Sequence, residues 1–322
     1  MEGGDYRYSF NGMEKDDEVK GKGNHYSFSD YGLDPRLGRR WRTDPKMALL
    51  PHLSPYLYGL NNPINVIDPD GEFPILVNGE VGQFGPIQFG SDVDIARQRG
   101  GVNYWDANVL LTIENQTGYN LQSFKFVDED QGRTASARRK AGAAQAKLDA
   151  QDVWNQMKEN LNEEGQVTEQ LQVITHSKGS AYGAGYMEAL ATEIQTLAKE
   201  DGISFAYDEG SIIKYSVNLA PHQSNSINYP NNGTKNVNIS HIGDPLSGND
   251  ATGNVINVHS IPEQDAFDQH GNATHNTELN FILNILENNT NKSNLINEVK
   301  SGYQNYDNNR TNGDKSRVTQ GG

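Results

Sequence analysis

Residues 171–198 constrain the fold of this chain most. An apolar run, Leu171, Val173 and Ile174, meets a turn at Thr175, His176, Ser177, Lys178 and Gly179. Small residues follow (Ser180, Ala181, Gly183, Ala184, Gly185), and then a helical pattern runs to Ala198. Strand, tight turn and small-faced helix form the layout of a nucleophile elbow, in which a strained turn lifts a serine hydroxyl off the end of a sheet. The serine here is Ser177, with Thr175 two residues before it, where glycine is usual, and Gly179 two after. The Lys178 amide then falls at a helix N-terminus, where the helix dipole supports donation to an oxyanion.

A serine at an elbow needs a base and an acid downstream. Residues 212–220, 237–243 and 255–259 read as strands with apolar centres. Strands of that kind, alternating with helices, predict a mainly parallel sheet covered on both faces. Ligands of such sheets bind at the C-terminal strand ends. Asp244 lies just past one, pinned between Gly243 and Pro245, in a place suited to orienting an imidazole. With the acid before the base in the chain, the candidate bases are His275, at the start of a helical pattern over 278–286, then His270 in the preceding loop, then His259 at a strand end. His275 is the favoured one.

The rest of the chain places the frame. Residues 75–81, 109–113 and 121–127 read as strands, and 128–142 as a polar loop or mobile cover. The start of that loop, near Asp128, is the candidate second oxyanion donor. An amphipathic helix is expected over 143–161, with Leu148, Val153, Trp154, Met157 and Leu161 on one face. His241, Asp244 and His259 lack the spacing of a metal motif, so no metal and no cofactor are expected. The Asn-rich stretch from 289 reads as a flexible end.

Composition narrows the partners. The 322 residues carry a net charge of −15 and no cysteine, with a pI near 4.9. That balance argues against a phosphate-binding surface, so no nucleic-acid partner is expected. No apolar run reaches the ~18 residues of a membrane span. The first residues, Met1 to Tyr6, do not make a secretory signal, so export would depend on another carrier.

Two resemblances add expectations. Residues 6–20, the Asp34–Arg39 block, Thr43 to Pro45 and residues 58–71 resemble the RHS repeat-associated core, over roughly the first 72 residues. The resemblance implies the end of a β-cocoon followed by a variable toxin, delivered into rival cells by secretion systems, type VI among them. It also implies self-cleavage at two Asp-Pro motifs, which Asp44 and Asp68 match. The first motif here lacks its glycine, and the second is followed by Glu72 and Phe73. The second resemblance covers about Asn108 to Asn288. Thr175 to Gly179, residues 216–221, Gly243 to Leu246 and a late histidine look like the lipase-type α/β-hydrolases. It implies Ser177 as nucleophile, His275 as base and then acid, Asp244 as orienter, and carboxylic esters as substrates. The spacing from Asp244 to His275 is short for that group.

The expected organisation is therefore an RHS core remnant (1–73), a lipase-like α/β-hydrolase domain (74–288) and an Asn-rich tail (289–322). The expected function is a delivered antibacterial effector with phospholipase activity in the target cell envelope. Its partners would be a lipid substrate at the target membrane and a cognate immunity protein. A non-catalytic interaction module and a serine amidase or peptidase remain the alternatives.

Overall fold

The structure is a computed structural model that describes residues 74–80, 101–119, 121–129, 132–158, 161–261, 270–288, 294–308 and 316–321, with short stretches between 14 and 41. The chain divides into two compact units, one formed by Met1–Pro69 with Gly118–Gln122 and the other by the remainder.

In the first unit β1 (Glu14–Lys15), β2 (Tyr26–Phe28), β3 (Tyr31–Asp34) and β4 (Arg39–Arg40) form an antiparallel meander in chain order. The buried Asp34 closes its last turn by accepting from the Arg36 amide at 3.0 Å and the Arg36 guanidinium at 2.8 and 3.1 Å. Asp44 and Asp68 lie outside the described residues.

The second unit is a mixed α/β structure. Its strands are β5 (Ile75–Glu80), β6 (Lys125–Glu129), β7 (Leu171–His176), β8 (Ile213–Leu219), β10 (Lys235–His241), β12 (Val255–Ser260) and β13 (Arg317–Gln320). They make a seven-stranded sheet in the order β13-β12-β10-β8-β7-β5-β6. Every pairing is parallel except β12 with β13. A small parallel pair, β9 (Asn228–Tyr229) with β11 (Thr252–Gly253), lies outside it. All six residues of β7 and of β12 are buried, as strands covered on both faces must be.

Helices α1 (Ala107–Thr117), α2 (Ala135–Met157), α3 (Gly179–Asp201), α4 (Asn276–Asn288) and α5 (Leu295–Asn308) complete the unit. Helix α2 starts at Thr134, whose hydroxyl accepts from the Ala137 amide at 3.2 Å, the usual way to satisfy an orphan donor at a helix start. Its buried stripe of Ala146, Ala150, Val153, Trp154 and Met157 joins the core with Leu190 and Ile194 of α3.

Four expectations need correction. Residues 109–113 are helical: Val109, Leu110 and Ile113 are buried while Leu111 is half exposed, a spacing that a short apolar run cannot distinguish from a strand. The polar stretch 128–142 is neither loop nor cover, since Asp128 and Glu129 end β6 and α2 starts at Ala135. Leu148 points to solvent, at 75% exposure. The stretch from 289 is partly structured: Leu295, Val299 and Tyr303 bury one face of α5 at four-residue spacing, and β13 closes the sheet.

The parallel core also holds a polar row that apolar patterning hides. Thr175, Asn218, Asn238 and Asn257 stand in register on four neighbouring strands. Thr175 donates to Asn218 at 2.7 Å, Asn218 to Asn238 at 2.9 Å, and Asn238 to Asn257 at 3.2 Å. Asn257 ends the row on the backbone of Ala251, giving and receiving at 3.0 Å.

Candidate active site

Strand β7 ends at His176, and the next residue turns the chain. Ser177 has φ 55°, a left-handed conformation that costs a non-glycine residue on the order of 1–3 kcal/mol and persists only when neighbours impose it. They do so here. The Ser177 amide donates to Leu219 at 2.9 Å, and its carbonyl accepts from the amides of Ser180 at 3.2 Å and His222 at 3.1 Å. The turn also requires bare backbone around it. A Cβ on Gly179 would stand 2.3 Å from the Asn78 carbonyl oxygen, and one on Gly79 would stand 3.1 Å from the Ser177 Cβ. Thr175 fits where glycine is usual because its hydroxyl is absorbed by Asn218 and by Ser180, at 2.8 Å.

The turn delivers the Ser177 Oγ to 2.7 Å from His270 Nε2. His270 Nδ1 lies 2.7 Å from Asp244 Oδ2. Asp244 follows β10 through Gly243, at φ 97°, and its carboxylate is buried. Its Oδ1 accepts from the Leu246 amide at 2.9 Å, and its Oδ2 also accepts from the Ser247 hydroxyl. Burial raises the Asp244 carboxyl, but the His270 hydrogen bond and charge, with the bonds from Ser247 and Leu246, outweigh it and bring it down to about 2. An ionised, anchored carboxylate on Nδ1 leaves Nε2 facing the serine, the tautomer a general base needs.

The position beside the serine belongs to His270, the second candidate, and not to His275. His275 is fully buried and stacks on His241, ring centres 3.9 Å apart. The helical pattern contains the reason. Leu279, Ile282, Leu283 and Leu286 form the buried stripe of α4, and His275, one turn earlier on the same face, is drawn into the core with them. His259, the third candidate, bonds Asp250 at 2.5 Å.

The second oxyanion expectation is corrected as well. Asp128 sits in β6, two strands from β7, and its carboxylate accepts from the Asn78 side-chain amide. The strand beside β7 is β5, and its end at Gly79 is what meets Ser177. Lys178 stands where expected, as the N-cap of α3 with no side-chain cap bond.

Several residues around Ser177, His270 and Asp244 escaped the sequence. His176 contacts the Tyr104 hydroxyl through Nδ1 and the His270 carbonyl through Nε2. Trp105 donates to Asn78 at 2.5 Å. His222 is held below the ordinary imidazole range, first by burial and then by the charges of Arg138, His270 and Lys178. Ile242 and Leu246, on either side of Asp244, are 46% and 48% exposed, so apolar surface flanks the site.

Among the described residues His241, His275 and Glu278 bring metal-ligating atoms within 4.8 Å of one another. Two imidazoles converging on one tetrahedral ion hold their centres about 5 Å apart. The 3.9 Å stack is tighter than that. Glu278 accepts from Ser260 at 2.9 Å and lies 3.3 Å from His241 Nε2. The cluster is a buried polar brace between β10, β12 and α4.

No family model matches this chain, and no curated protein matches it.

Proposed function

We propose that this chain is a serine hydrolase of the α/β-hydrolase type, acting on carboxylic esters, with membrane phospholipids as the substrate class. The observation that carries the reading is the continuous pair of 2.7 Å contacts from Ser177 through His270 to Asp244, on a turn held at positive φ. The order of the sheet also supports it, since nucleophile and acid both lie at C-terminal ends of parallel strands.

In this mechanism His270 Nε2 takes the Ser177 proton as Oγ attacks the ester carbonyl. The Lys178 amide, at the first turn of α3, and the backbone at the end of β5 receive the oxyanion. The imidazolium is stabilised by Asp244 and returns its proton to the leaving alcohol, forming an acyl-serine. Water then repeats the sequence and releases the acid. Exposed Ile242 and Leu246 suit an apolar acyl chain or a lipid surface. The RHS-like first segment supports delivery as an effector, with an immunity protein as partner and the target cell envelope as the place of action.

The test is fatty-acid release from phospholipid vesicles by the full chain beside three variants. Ser177→Ala and His270→Gln are expected to lose at least about 10⁴-fold, as triad members do. His275→Gln is expected to stay within a few-fold while melting lower. Release that survives in Ser177→Ala refutes the reading. Fluorophosphonate labelling of Ser177 without lipid release would move the substrate to another acyl compound, an amide or peptide included.

A further inference from the structure

His270 stands in the turn before α4, and its side-chain contacts to Ser177 and Asp244 do not by themselves fix the backbone beneath it. Three further hydrogen bonds hold that backbone. The carbonyl of His270 meets His176 Nε2 at 2.6 Å. Asn272, two residues on, donates to the Tyr104 carbonyl at 3.0 Å and accepts from the Asp106 amide at 2.9 Å. His176 is itself buried, and its ring packs at 5.5 Å from both Tyr104 and His270.

We infer that His176 is a positioning residue that locks the base to the nucleophile strand. The inference rests on the Ser177–His270–Asp244 reading. A carbonyl oxygen only accepts, so His176 Nε2 must carry the proton. In the neutral ring Nδ1 is then the acceptor, and the Tyr104 hydroxyl donates to it. Tyr104 thus selects the tautomer that grips His270. Because His176 directly precedes Ser177, movement of the elbow and movement of the base are coupled through one side chain. Misplacement of a catalytic group by about 1 Å can cost on the order of 100-fold, so loss of this contact should appear in turnover more than in affinity.

The experiment uses the full chain with a soluble p-nitrophenyl ester, together with the downfield imidazole N–H proton resonance of His270, assigned by its loss in Asp244→Asn. His176→Leu is expected to lower kcat about ten- to a hundred-fold with KM within about three-fold, and to broaden or abolish the resonance. His176→Gln keeps a donor toward the His270 carbonyl and should restore most of both. Tyr104→Phe, which keeps the ring packing, should lower kcat by about three- to ten-fold and decides the matter if His176→Leu does not fold. Wild-type kcat and resonance in His176→Leu or in Tyr104→Phe would overturn the proposal, as would a His176→Gln no better than the leucine variant. A wild type that hydrolyses no ester, yet shows a resonance that His176→Leu removes, would refute the esterase and leave the positioning role standing. A wild type with neither would refute both.

Discussion

Asp244 is the residue whose environment says most about pH. Its carboxyl is brought down to about 2 in the folded chain, against about 3.9 in an unfolded one. A depressed carboxylate stabilises the fold above its unfolded value, and that contribution disappears as pH falls through the folded one. After solvent screening it is on the order of 1–2 kcal/mol. Urea midpoints of wild type and Asp244→Asn should therefore differ by a constant amount from pH 7 to about 5 and converge between about 4 and 2. A gap that persists at pH 2 would mean that Asp244 contributes shape and not charge. Residue-level reading of the sequence reached Ser177 and Asp244 because turn chemistry marks both: small neighbours around one, Gly243 and Pro245 around the other. It ranked His270 below His275 because a histidine at a helix start stands out and one in a loop does not. His176 and Tyr104 were invisible for a different reason. Their partners are a backbone carbonyl and each other, and neither leaves a pattern along the chain.

At the scale of elements, strands β8, β10 and β12 are legible from their valines and isoleucines, and their centres read as apolar although each carries an asparagine. The structure shows these residues forming a buried row. A parallel strand slipped by one residue would turn this row to the opposite face, so the row fixes the register that brings Asp244 to its place. Asn238→Leu takes one acceptor from the Asn218 side-chain amide, which keeps Ser216 at 3.2 Å and the Val237 carbonyl at 3.4 Å, and one donor from the Asn257 oxygen, which keeps the Ala251 amide at 3.0 Å. At about 0.5–1.5 kcal/mol for each buried hydrogen bond lost, an overall loss of about 1–3 kcal/mol is expected in urea unfolding at constant m-value. A loss below about 1 kcal/mol would mean that water or a rearranged neighbour replaces the missing partner. Helices α1 and α5 went unrecognised for opposite reasons: α1 has a run short enough to pass for a strand, and the apolar contacts of α5 are spread thinly among polar residues.

The whole molecule assembles its site from distant parts. The proposed triad is built from the ends of β7 and β10 and from the turn before α4, and each joins the others only across the sheet. Parallel pairs such as β5 with β7 are not local in sequence, and closing the chain between them costs entropy before the contact forms. Secondary structure in α2 and α3 has no such requirement. The consequence is one of timing. During refolding, ellipticity should recover before hydrolysis of a soluble ester does, and a stopped-flow comparison should show the lag, whereas coincident traces would mean that sheet and site form in a single step. Under the proposed effector role, a chain that passes between compartments unfolded would be chemically silent until its sheet closes, so the topology itself would delay damage to the cell that makes it.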